Sequence, residues 1–194
     1  MSRIARIERV TKESAIKVEI DVDGRGQVEV DTGIGFYDHL LTSFAYHGLF
    51  DLSISARGDL HTDDHHTVED TALALGEAIS TALSDREGIA RFGQASVPMD
   101  EALATTILDL SGRPYAVLDL DLRSERIGAL TAQNLPHAIE ALAQTAGATI
   151  HLTATGRNDH HTAEAAFKSL GRAFSTAVAI DPRRTGSPST KGSL

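Results

Sequence analysis

Two short stretches, His65-His66-x-x-Glu69 and His160-His161-x-x-Glu164, carry the side chains best suited to chemistry in this chain. Imidazole and carboxylate are ligands for borderline divalent metals. Residues three or four apart share one face of a helix, so each stretch presents its glutamate beside its histidines. Adjacent helical residues diverge by about 100°. The two imidazoles of a pair are therefore poorly placed to bind one ion together, but they can serve two ions, one on each side. A lone His39 precedes the first pair and a lone His137 the second. The candidate ligands are thus His39, His65, His66, Glu69, His137, His160, His161 and Glu164, enough for two sites of four. Nitrogen and oxygen donors without sulfur favour Mn, Fe, Co or Zn over Ca or Mg. A single such stretch could equally be a helix-capping arrangement; two copies inside a wider repeat point to metal. Of the other histidines, His151 lies in an apolar strand and reads as structural, while His47 and His61 read as loop or surface residues.

The elements that must position these residues follow from apolar periodicity. Ile4–Val10 and Ser14–Val22 read as strands, the second alternating as Ile16, Val18, Ile20, Val22. Asp23-Gly24-Arg25-Gly26 is a turn signal, and Gln27–Asp31 is expected to complete a hairpin with the preceding strand. Helices are expected over Phe36–His47 and Val68–Leu83, with a strand at Leu52–Ala56 between them. The second half runs similarly, with strands at Ser96–Met99, Ala104–Leu110, Tyr115–Leu122 and Ala148–Ala154, and helices at Leu135–Ala146 and Ala163–Ile180. HHTVEDTALALGEAI and HHTAEAAFKSLGRAF are the matching stretches of an internal duplication. The expected class is α/β (α+β): two halves, residues 1–90 and 91–180, each a four-stranded mixed sheet packed on two helices, forming one structural unit. The tail, residues 181–194, is rich in Pro, Ser, Thr, Gly and Arg and is expected to order only against something else.

Composition narrows the function classes. With 194 residues and 41% hydrophobic content the chain can bury a core. The absence of cysteine excludes disulfides, thiolate nucleophiles and Cys-type zinc sites. A net charge of -9 argues against a nucleic-acid surface. No apolar run approaches the roughly 20 residues that span a bilayer. Met1–Val10 lacks the apolar core of a signal peptide, so a cytoplasmic protein is expected.

The blocks DTGIGFYDHLLTSFAYHGLFDL, GDLHTDDHHTVEDTALALG, RFG, MDE, DLSGRPY, GRNDHHTAEAAFKSLGRA and STKG, spanning Arg9 to Gly192, resemble the successive signatures of the imidazoleglycerol-phosphate dehydratase family. The resemblance implies a hydro-lyase of histidine biosynthesis that converts D-erythro-imidazole-glycerol phosphate to imidazole-acetol phosphate. It implies two manganese ions per active site and a 24-subunit homo-oligomer built from trimers, with sites at the subunit interfaces. One ion would resemble a site of His39, His66, His160 and Glu164, the other a site of His65, Glu69, His137 and His161, with the two halves supplied by different subunits. His39, His65, His66 and Glu69 would thereby line the reacting centre with Glu13, which matches the family's proton-transfer glutamate. By spacing alone Glu13 would read as a surface carboxylate. Arg91, Arg113, Lys168, Ser189 and Lys191 match its phosphate and substrate contacts, and the tail is expected to close over the substrate. The electron count is consistent: the substrate's imidazole is the only electron sink, so metal on its nitrogens would assist loss of the C3 hydroxyl before the C2 proton leaves and the enol becomes a ketone. Ser43 departs from the family, standing where a longer amide is usual, and NLPHAIEALA lacks the aromatic residues that commonly follow this histidine. A metal-storage shell or a metallohydrolase could share the histidines, but storage needs no phosphate-binding Arg91, Arg113 or Lys191, and the resemblance covers nearly the whole chain.

Overall fold

The structure is a computed structural model that describes residues 3–192. Strand β1 (Ile4–Val10) pairs antiparallel with β2 (Ser14–Asp21), where Ile16, Val18 and Ile20 are buried and the residues between them face outward. That alternation is the signature of a sheet with one face on a core and one in water. β2 then pairs antiparallel with β4 (Asp51–Gly58), and β4 pairs parallel with β3 (Val28–Asp31), giving the order β1-β2-β4-β3. The second half repeats this topology with β5 (Phe92–Met99), β6 (Ala102–Asp109), β10 (Thr149–Thr155) and β7 (Tyr115–Leu120), in the order β5-β6-β10-β7. A small two-stranded ribbon, β8 (Arg126–Ile127) with β9 (Leu130–Thr131), was not expected from periodicity.

The expected hairpin between Ser14–Val22 and Gln27–Asp31 does not form. The second edge of β2 is taken along its whole length by β4, from Ser14 opposite Gly58 to Asp21 opposite Asp51. The Asp23–Gly26 segment instead crosses the end of β4, held by Asp51 Oδ1, which accepts from the Arg25 and Gln27 amides at 2.7 and 2.9 Å. A side chain at Gly24 would stand 2.2 Å from the Asp51 nitrogen, so only glycine fits this crossing.

Among the described residues four helices fill the space between the sheets: α1 (Gly35–Gly48), α2 (His65–Leu83), α3 (Asn134–Ala146) and α4 (Asp159–Val178). α2 covers the first sheet and α4 the second, while α1 packs on α4 and α2 on α3. The helix pairs therefore join opposite halves, and one continuous apolar cluster runs through both. Phe44 of α1 and Phe174 of α4 meet edge-on at 5.7 Å, both fully buried; each such side chain contributes about 1.5–3 kcal/mol. Two glycines at the same position of the duplicated stretch permit the close helix crossings. A Cβ on Gly171 would lie 2.1 Å from the Phe44 carbonyl oxygen, and one on Gly76 would lie 2.5 Å from that of Leu142. His151 does not belong to this core. It is exposed in the middle of β10, on the outer face, because the inward positions there belong to Ile150 and Leu152.

Candidate metal centre

The helix crossings bring each lone histidine to a His-His-x-x-Glu stretch of the other half. On the α1–α4 side, His39 Nε2 lies 2.9 Å and His160 Nε2 3.2 Å from Glu164 Oε2. On the α2–α3 side, His65 Nε2 lies 3.7 Å from Glu69 Oε2 and His137 Nε2 3.3 Å from Glu69 Oε1. Within each trio the potential ligand atoms lie no more than 4.8 Å from one another. Each trio thus takes ligands from both halves, as the resemblance implies, and within one chain three of the four residues of each set already lie together.

Local structure explains the orientation of these rings. Asn158 caps α4 by accepting from the His160 amide at 2.9 Å. Buried Asp64 precedes α2 and accepts from the Thr131 amide at 2.5 Å and its hydroxyl at 2.7 Å, tying the β9 segment to the start of α2. His65 stacks on His137 at 4.8 Å between centroids, and its Nδ1 lies 3.3 Å from Asn134 Oδ1. His160 instead rests against Phe36 at 4.8 Å. His137 Nε2 is buried with no hydrogen-bond partner among the described residues, although it faces Glu69. A buried imidazole nitrogen beside a carboxylate, with a second imidazole alongside, is the donor set a divalent cation completes. The residues fit a metal.

Glu164 is the more buried of the two carboxylates. Burial pushes its carboxyl up, but Lys168 Nζ at 2.8 Å and His39 outweigh this and hold it at about 2. Glu69 is half-buried, and among the described residues no lysine or arginine pairs with it.

His66 and His161 stand apart from both trios of their own chain. His66 Nδ1 meets Asp59 at 3.1 Å, and its Nε2 is 3.8 Å from Oε2 of Glu13. His161 Nδ1 meets Glu101 Oε2 at 2.9 Å. Glu13 is exposed in the β1–β2 turn. The turn is anchored by Ser14, whose hydroxyl donates to Asp70 Oδ2 at 2.5 Å while Arg9 holds the other oxygen at 2.7 Å. The hydrogen bond of His66 to Asp59, aided by Glu13, raises the pKa of its ring.

Of the remaining candidates, only Lys168 reaches a trio. Arg91 donates to Asp109 at 2.7 Å and to the Pro188 carbonyl at 3.0 Å, and Arg113 approaches the same Asp109 at 3.5 Å. These arginines lie at the Phe92 end of β5, whereas Met99 at its other end touches Lys168. An eight-residue strand spans roughly 23 Å at about 3.3 Å per residue, so Arg91 and Arg113 lie away from the His39–His160–Glu164 trio of their own chain. The tail carrying Ser189 and Lys191 docks beside Arg91, with the Gly88 amide donating to the Gly186 carbonyl at 3.1 Å and Pro188 buried. Up to Pro188 the tail thus lies against its own chain. Ser43 is buried in α1. His47, read from sequence as a loop or surface residue, is part of α1 and half-buried; burial, then Lys168 and Arg172, lower its pKa. Asp59, Asp64, Glu101 and Asn134 were missed by sequence reasoning, since isolated polar residues carry no periodic signal.

A duplicated β–α–β sandwich with two imidazole–carboxylate trios at its helix crossings defines a metalloenzyme-like architecture with a paired candidate site. The profile described as imidazoleglycerol-phosphate dehydratase matches residues 32–174. The protein of that name from Methanocella arvoryzae is 54% identical over 192 residues, covering 99% of this chain and 100% of that one. The solved structure of imidazoleglycerol-phosphate dehydratase from Pyrococcus furiosus, in complex with (S)-C348, matches with a TM-score of 0.83 at 38% identity, over 97% of this chain and 100% of that one. The structure of the Staphylococcus aureus protein matches with a TM-score of 0.82 at 31% identity, over 92% and 99%. The chain belongs to the imidazoleglycerol-phosphate dehydratase family and is a hydro-lyase. Among the described residues no helix is long and apolar enough to cross a membrane.

Proposed function

We propose that this chain is a manganese-dependent enzyme of histidine biosynthesis that dehydrates D-erythro-imidazole-glycerol phosphate to imidazole-acetol phosphate, with two manganese ions per active site. The observation that carries the reading is the pair of trios, His39–His160–Glu164 and His65–Glu69–His137, each with ligand atoms within 4.8 Å of one another. His66 and His161 would complete the two sets, one each, from a neighbouring copy. Bound there, manganese would act as a Lewis acid toward the nitrogens of the substrate's imidazole. The protein's own groups do the rest. Glu13, on a turn anchored through Asp70, acts as the proton shuttle: its carboxyl gives a proton to the C3 hydroxyl as the C3–O bond breaks and water leaves, the resulting carboxylate then takes the C2 proton, and the enol formed rearranges to the ketone. Arg91, Arg113, Lys168, Ser189 and Lys191 hold the phosphate by charge-assisted hydrogen bonds.

The separation of Arg91 and Arg113 from the His39–His160–Glu164 trio of the same chain supports a homo-oligomer whose active sites combine several copies. We infer a 24-subunit assembly of trimers acting in the cytoplasm. The test is reconstitution. Metal-free chain should show no turnover of imidazole-glycerol phosphate, and activity should appear as two Mn2+ per 20.7 kDa chain are added. Absence of turnover in the fully loaded protein, or full turnover by an isolated monomer, would refute the reading.

A further inference from the structure

The two histidines that stay out of their own chain's trios are held alike, by residues that the duplication does not supply. His66 Nδ1 lies 3.2 and 3.1 Å from the two oxygens of Asp59, and His161 Nδ1 lies 2.9 Å from Glu101 Oε2. Asp59 follows Gly58 at the end of β4, while the residue following Gly156 at the end of β10 is Arg157. Glu101 lies in the β5–β6 turn. The copying event thus duplicated the His-His-x-x-Glu stretch, and each half holds its second imidazole through a carboxylate from a different place in the fold.

The chemistry of the contact is specific. An ionised carboxylate only accepts, so Nδ1 must carry the proton in both pairs. In the neutral ring, with the proton on Nδ1, each Nε2 keeps its lone pair. The nearest carboxylate oxygens to these atoms are Glu13 Oε2 at 3.8 Å and Asp100 Oδ2 at 3.9 Å, beyond hydrogen-bonding distance. Both side chains are partly open to solvent, at 32% and 25%.

We propose that Asp59 and Glu101 are positioning residues that fix the Nδ1–H form of His66 and His161 and hold each Nε2 outward as a ligand for a metal ion shared with a neighbouring copy of the chain. This rests on the shared-site reading above and names what prepares the fourth ligand. Partners of this kind raise a histidine's basicity and fix its ring, and losing one typically costs 10–100-fold in metal affinity. Glu101 has a second task, since its Oε1 accepts from the Arg157 and Asn158 amides at 3.1 and 2.9 Å. Asp59 is therefore the cleaner position to test.

Full-length Asp59→Ala, Asp59→Ser and His66→Ala proteins would be titrated with Mn2+, following the free ion by electron paramagnetic resonance. The ring nitrogens of 15N-histidine-labelled, metal-free protein would report the tautomer, and urea unfolding would report the fold. Asp59→Ala should weaken one Mn2+ per chain by about 10–100-fold, and His66 should lose its uniform Nδ1–H signature. Asp59→Ser, retaining a small polar group, carries the same expectation if the alanine protein does not fold. If His66→Ala binds two ions like the unaltered chain, the shared-site reading falls, and this proposal with it. If His66→Ala loses an ion while both Asp59 variants keep the original affinity and tautomer, the shared site stands and the positioning role is wrong.

Discussion

Replacing Gly171 by alanine should separate the α1–α4 crossing and remove one metal site while sparing the other. The new Cβ would stand 2.1 Å from the Phe44 carbonyl oxygen and 2.9 and 3.1 Å from the carbonyl carbon and Cα of the same residue. Ordinary carbon contacts need about 3.5 Å, and both partners are backbone, so the helices must part by roughly 1 Å. His39 rides on α1 and Glu164 on α4, with Nε2 and Oε2 2.9 Å apart. A metal site tolerates errors of about 0.2 Å in ligand distance, so a shift of that size is several times too large. Overpacking of this kind also costs about 1–3 kcal/mol of stability. The assays are urea unfolding of the metal-free protein and Mn2+ titration of the refolded one. The expected result is a lower unfolding midpoint and loss of one ion per chain, that of the His39–His160–Glu164 trio. Gly76→Ala is the mirror experiment. Its Cβ would meet Thr145 Oγ1 at 2.2 Å and the Leu142 carbonyl at 2.5 Å, on the helix that carries His137. It should remove the other ion. If Gly171→Ala keeps both ions at their original affinity and loses less than about 0.5 kcal/mol, the crossing does not set the trio and the reasoning fails.

Four further outcomes are expected. Glu13→Gln should lower kcat by about 100-fold or more with metal content intact; a variant with full turnover would remove Glu13 from proton transfer. Ending the chain after Pro188 should raise KM sharply and leave the fold in place, because the docking contacts at Gly186 and Pro188 survive; unchanged kinetics would show that Ser189 and Lys191 do not touch the substrate. The response to pH should differ in sign between metal-free and metal-bound protein. His66 and His161 have pKa values raised above 6.5, mainly by hydrogen bonds to Asp59 and Glu101. In the metal-free chain the stability they contribute is full below about 6.5 and fades as pH rises through the raised values. Mn2+ needs the unprotonated rings, so its affinity should rise over the same window. Urea midpoints and Mn2+ titrations from pH 6 to 8 would check this, and parallel trends would contradict it. In acid, the stabilisation from Glu101 and Glu164, both at about 2, should be lost as pH falls below about 4.5.

Much of the site was legible in the chain because its key relations are local. A histidine and a glutamate four apart share a helix face whatever the rest of the fold does, so His65 with Glu69 and His160 with Glu164 could be paired on spacing alone. Alternation marked Ile16, Val18 and Ile20 as one inward face, and the repeated stretch announced two equivalent halves. Tertiary structure decided the remainder, since it depends on which elements approach and how closely. β3 lies beside β4 rather than β2 because the chain crosses at Gly24 and β4 occupies the free edge. His39 meets Glu164, and His137 meets Glu69, because Gly171 and Gly76 let helices of opposite halves touch. His66 and His161 turn away from these trios because Asp59 and Glu101, distant in sequence or irregular in spacing, hold their rings. Periodicity encodes faces; the direction of a ring and the partner of a helix are fixed by contacts between segments that no local pattern contains.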